Sequence, residues 1–159
     1  ATPRITVVQG VNHSERRPDD GCRGPELAGK VLIIDDDPAL LRLMSLAFRG
    51  AGFSTASADN GRKGIRMAST YRPDLVVTDI VMPDIEGIGA IRAIKDSARP
   101  PKIIAISGAG RGRGMDYLSW ARHLGADEVL AKPFRMPELL KVSQSVIDNS
   151  PDHSTNLGS

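Results

Sequence analysis

Short apolar runs alternate along the chain with stretches of helical period. The runs Val31 to Ile34, Leu75 to Thr78, Ile103 to Ile106 and Glu128 to Ala131 are each followed by helix-compatible residues. A weaker run, Phe53 to Ser57, supplies a fifth predicted strand. The first helix is predicted to follow Pro38, because proline suits an initial helical turn. It runs through Leu40, Leu41, Leu43, Met44, Leu46, Ala47 and Phe48, giving a broad apolar face, until Gly50 and Gly52 stop it. Further helices are predicted near Gly61 to Thr70, Gly87 to Lys95, Gly114 to His123 and Pro137 to Ile147. Five strands alternating with five helices, with near-continuous apolar character in the first, third and fourth strands, point to a doubly wound α/β fold. Its parallel sheet is covered by helices on both faces.

Outside this alternation the pattern fades. Ala1 to Gly29 mixes glycine, proline and both charges and reads as a flexible arm, with Ile5 to Val8 as a weak candidate strand. The breaker-rich tail at 149–159 reads as frayed, which leaves 30–148 as the folded domain. The 159 residues, 40% hydrophobic and 25% charged, suit one ordinary globular domain and disfavour collagen-like, coiled-coil or wholly disordered chains. One cysteine, Cys22, excludes an internal disulfide framework. No run approaches the ~18 apolar residues of a membrane span, and a basic-then-apolar secretory leader is absent, so the expected location is the cytoplasm with no membrane partner. Net charge is +2, and residues 29–148 carry 17 basic against 14 acidic groups, well spread. Direct nucleic-acid binding, which needs a clustered basic face, is therefore not expected.

Ligands of such a sheet gather at the carboxyl ends of its strands. There the sequence places Asp35, Asp36 and Asp37 after the first apolar run, Asp79 after the third, Ser107 after the fourth and Lys132-Pro133 after the fifth. Three carboxylates in one crevice would repel one another or shift their pKa values, so a cation must share the site. Mg2+ suits a small set of carboxylates plus phosphate oxygens. Carboxylate, Mg2+, hydroxyl and lysine together fit phosphoryl transfer, with an aspartate as nucleophile. Asp79 follows the most apolar strand and is the candidate nucleophile, with Asp35 and Asp36 as metal ligands. Ser107 and Lys132 would contact phosphoryl oxygens, and Asp37 reads as a helix cap.

These residues resemble the receiver domains of two-component response regulators. The resemblance rests on Val31-Leu32-Ile33-Ile34-Asp35-Asp36-Asp37-Pro38 and on Pro73-Asp74-Leu75-Val76-Val77-Thr78-Asp79-Ile80-Val81-Met82-Pro83. It rests also on Ile103-Ile104-Ala105-Ile106-Ser107-Gly108 and on Gly125-Ala126-Asp127 through Ala131-Lys132-Pro133-Phe134. Their order and spacing agree over about Lys30 to Ile147. The resemblance implies a flavodoxin-like strand order 2-1-3-4-5, Asp79 as phosphoacceptor and Asp35 and Asp36 as the acidic Mg2+ pair. It further implies the Val81 carbonyl as another metal ligand, Ser107 as switch hydroxyl, and a cis Lys132-Pro133 bond. A histidine kinase or phosphotransfer protein would be the phosphodonor, and a downstream protein or output domain the target. The domain would then be a signalling phosphoacceptor that catalyses only its own phosphorylation and slow dephosphorylation. The docking surface expected of a receiver is the helix near Gly114 to His123, the fifth strand and the last helix.

Two features depart from that pattern. Val129 stands where receivers carry Tyr or Phe, which removes the aromatic ring from the usual switch. The loop Gly108-Ala109-Gly110-Arg111-Gly112-Arg113-Gly114 is rich in glycine and arginine and reads as mobile. Two rival readings use similar residues. A haloacid-dehalogenase-type phosphatase would need its nucleophile and acid two apart on the first strand, and no cap insertion is long enough to enclose a substrate. A pseudo-receiver would bind partners without phosphorylation.

Overall fold

The computed structural model describes residues 28–80, 87–108 and 117–149. Ten elements alternate there: β1 (Lys30–Ile34), α1 (Pro38–Gly50), β2 (Ser54–Ala58), α2 (Gly61–Tyr71), β3 (Leu75–Asp79), α3 (Gly87–Lys95), β4 (Lys102–Ser107), α4 (Tyr117–His123), β5 (Glu128–Ala131) and α5 (Met136–Asp148). The five strands form one parallel sheet in the order β2-β1-β3-β4-β5. Fold class and strand order are those expected from the sequence. The predicted arm and tail lie outside the described residues apart from Ala28, Gly29 and Asn149. Ala28 and Gly29 are tied to the β2 side through bonds to the Gly52 carbonyl and from the Ser54 amide.

Strand alternation sends side chains to two cores. Val31, Ile33, Leu75, Val77, Ile104 and Ile106 pack against Met44 and Phe48 of α1 and Leu139 of α5. Leu32, Ile34, Val76, Ile103 and Ala105 pack against Ile91 and Ile94 of α3 and Ala121 of α4, with Ile65, Met67 and Ala68 of α2 at the margin. Each fully buried aliphatic or aromatic side chain contributes about 1.5–3 kcal/mol. At Gly64 the backbone of α2 lies against the Ile34 side chain, and any Cβ there would collide with it.

Local chemistry sets the boundaries. Asp37 caps α1 by accepting from the Ala39 and Leu40 amides at 2.9 and 3.4 Å, with Pro38 in the first turn. Gly52, at φ +95°, turns the chain after α1. β2 starts one residue later than predicted because the Phe53 amide donates back to the Phe48 carbonyl at 3.0 Å instead of entering the ladder, while the two rings meet edge-on with centroids 5.5 Å apart. The broad apolar face of α1 is narrower in fact: Met44 and Phe48 are buried, whereas Leu43 and Leu46 are 56% and 61% exposed.

Candidate functional site

Because β1, β3 and β4 are parallel and adjacent, their carboxyl ends open on one edge. β3 is central and ends in Asp79, with β1 on one side, leading into Asp35 and Asp36, and β4 on the other, ending in Ser107. Lys132 follows β5, where its amide donates to the Ser107 carbonyl at 2.8 Å, and the Lys132-Pro133 peptide is cis, as expected. Its ammonium reaches back across β4 to Asp79 Oδ2 at 2.8 Å and Asp35 Oδ2 at 3.4 Å. The other Asp35 oxygen, Oδ1, accepts from the Asp37 amide at 2.8 Å.

The site is acidic and partly buried. Asp35 is 1% exposed, Asp79 5% and Ser107 1%, while Asp36 is exposed. One oxygen each from Asp35, Asp36 and Asp79 can be chosen so that all lie within 4.8 Å of one another. Burial raises the Asp35 carboxyl above its ordinary 3.8, aided by Asp79 and opposed by the Asp37 amide and Lys132. Burial alone would lower Lys132, but hydrogen bonding and attraction to Asp79 and Asp35 outweigh it and hold the ammonium above 10.5. Among the described residues three carboxylates face one ammonium, an excess of negative charge that a divalent cation would offset. Hard oxygen donors of this kind fit such an ion.

The structure thus brings together Asp35, Asp36, Asp79 and Lys132, with Ser107 at the adjoining strand end. The Val81 carbonyl and the Gly/Arg loop at 109–114 lie outside the described residues, as do the side chains of Tyr117, Leu118 and Trp120. His123 is exposed, and Val129 is half-buried against the α2/α3/α4 core. Asp37 spends its carboxylate on the helix cap, which disfavours the phosphatase reading that needs a free acid two residues after Asp35. One participant was passed over in the sequence: buried Thr78, whose hydroxyl donates to the Asp79 carbonyl at 3.1 Å. Its signal was a polar residue within the most apolar strand.

Comparison with known proteins agrees with this geometry. Residues 31–144 match the family model of the response regulator receiver domain. The chain is 35% identical over 111 residues to the probable transcriptional regulatory protein SilR of Salmonella typhimurium, covering 70% of this chain and 47% of that protein. It is 30% identical over 111 residues to the DNA-binding response regulator MtrA of Mycolicibacterium smegmatis, with the same coverage. Among solved structures, the Vibrio cholerae chemotaxis protein CheY4 superimposes with a TM-score of 0.67 at 26% identity, over 74% of this chain and 97% of that one.

The chain spans about half the length of SilR and MtrA. Their names overturn the expectation that nucleic acid is not a direct partner. The physical reason is one of scope: evenly spread charge over these residues describes the matched half and carries no information about the other. No helix among the described residues is long and apolar enough to cross a membrane.

Proposed function

The chain belongs to the response regulator receiver domain family, and on that premise we propose that Asp79 is its phosphoacceptor, supplied by a histidine kinase or phosphotransfer protein. The observation that carries this assignment is the Asp35–Lys132–Asp79 bridge, with both carboxylates buried, at the ends of three strands and with Asp36 beside it. An Asp79 oxygen forms a bond to phosphorus as the bond to the donor nitrogen breaks, leaving an aspartyl-phosphate. Water later cleaves that acyl phosphate, restoring the carboxylate and releasing phosphate. Asp35, Asp36 and Asp79 would hold Mg2+, which when bound neutralises phosphoryl oxygens.

The remaining steps belong to the protein's own groups. Lys132 leaves its bridge with the Asp79 oxygen to pair with a phosphoryl oxygen. Ser107, at the end of β4, donates its hydroxyl to another. Each contact exists only in the phosphorylated state, and both therefore bias the surface around β4 and β5. With Val129 in place of an aromatic residue, the response runs through the Ser107 strand end without a swinging ring. Residues 30–148 form the switching unit. The domain is a signalling device that acts in the cytoplasm and catalyses only its own phosphorylation and hydrolysis. The names of SilR and MtrA support transcriptional control as the output.

Treatment with acetyl phosphate and Mg2+ should add one phosphoryl group, located on Asp79 by mass spectrometry. Asp79→Asn and chelation of the metal should each abolish it. Phosphate retained at that position in the asparagine variant would overturn the assignment.

A further inference from the structure

We infer that Thr78 is a positioning residue for the phosphoacceptor, acting through the peptide that joins Asp79 to Ile80; this rests on Asp79 as the phosphorylated residue. β1 pairs with β3 only as far as Ile34↔Thr78, one residue short of Asp79, whereas β4 pairs as far as Asp79↔Ile106. The chain therefore leaves the sheet with its β4 side laddered and its β1 side beyond the last pair. The Ile80 amide donates to the Ile106 carbonyl at 2.9 Å, and the Asp79 carbonyl, at the other end of the same peptide, accepts from the Thr78 hydroxyl at 3.1 Å. Two bonds thus fix the plane of this peptide, one from the neighbouring strand and one from the preceding side chain.

Thr78 is wholly buried, so water cannot substitute for its hydroxyl. Alternation along β3 sends Thr78 to the face opposite Asp79, away from Lys132. The hydroxyl cannot touch a phosphoryl group and acts on the reaction only by orienting the backbone that carries the carboxylate. Small errors in such placement are costly in rate, because the attacking oxygen must hold its line to phosphorus.

The test compares initial rates of Mg2+-dependent phosphorylation by acetyl phosphate, well below the melting temperature. Thr78→Val keeps the shape and removes the donor, and should slow the reaction about tenfold. Thr78→Ser keeps the donor and loses a methyl, and should restore the rate to within about twofold of the parent while remaining the less stable protein. That opposition separates positioning from packing. Equal rates in the parent and Thr78→Val, or a serine variant as slow as the valine one, would overturn the inference. If Thr78→Val does not fold, Thr78→Ala, which also lacks the donor, replaces it with the same two outcomes. A parent protein that takes no phosphate would instead remove the reading of Asp79 itself.

Discussion

The two edges of the sheet treat aspartate in opposite ways. At the amino edge Asp127 and Asp74 are met by donors of the fold. Asp127 accepts from the Ile103 amide at 2.8 Å and from Lys95 at 2.7 Å, with Lys102 at 3.8 Å, and Asp74 accepts from the Lys30 amide at 2.8 Å. At the carboxyl edge Asp35, Asp36 and Asp79 crowd together, with the ammonium of Lys132 the one cation among the described residues that bridges Asp35 and Asp79. Among the described residues, donors outnumber acids at one end and acids outnumber cations at the other. Evolution of a stable fold alone has no use for the second arrangement, since like charges gathered away from water repel one another. The excess is intelligible as the protein's share of a site completed by a metal ion and a phosphoryl group.

The strongest way to break this contrast is to remove the lysine. Lys132→Met leaves Asp35 and Asp79 buried without their ammonium and deletes a partner of the transferring phosphoryl. Its phosphorylation rate should fall on the order of a hundredfold, measured with acetyl phosphate at saturating Mg2+. A rate near that of the parent would show that Lys132 only offsets charge in the resting state. Next in size is the amino edge. Asp127→Ala removes bonds joining α3, β4 and β5 and should cost about 2 kcal/mol by denaturant unfolding, while phosphorylation per folded molecule stays unchanged. A matching loss of phosphorylation would show that the two edges are not separable.

Much of this contrast was legible in the sequence. Apolar runs mark the strands, and parallel strands put their carboxyl ends on one edge, so the sequence alone groups Asp35, Asp36, Asp79, Ser107 and Lys132. Less visible was what depends on packing choice. The apolar run Leu40 to Phe48 offers more hydrophobic positions than one helix stripe can bury, and nothing local marks Leu43 and Leu46 as the ones left outside. Likewise Asp127 and Asp36 are the same residue type near strand ends, and only the tertiary arrangement gives Asp127 two lysines. The judgement on nucleic acid failed for a different reason, because a charge count reaches no further than the residues counted.

The finest test of the contrast is the pH dependence of Asp35, a carboxyl raised above 3.8 chiefly by burial. Folding then favours its protonated form, so the folded state binds the proton more tightly than the unfolded chain. Between 3.8 and the raised value, increasing pH must weaken the metal-free protein on account of this group, the reverse of an ordinary salt-bridged aspartate. Asp35→Asn removes that slope, so melting temperatures in chelator should show the variant gaining on the parent as pH rises through the window. With Mg2+ the parent should regain the advantage at the upper end, since the ion binds only the deprotonated carboxylate. Parallel melting curves in chelator would mean that Lys132 and the Asp37 amide already neutralise the cost of burying Asp35, and that the carboxyl edge is less strained than its geometry implies.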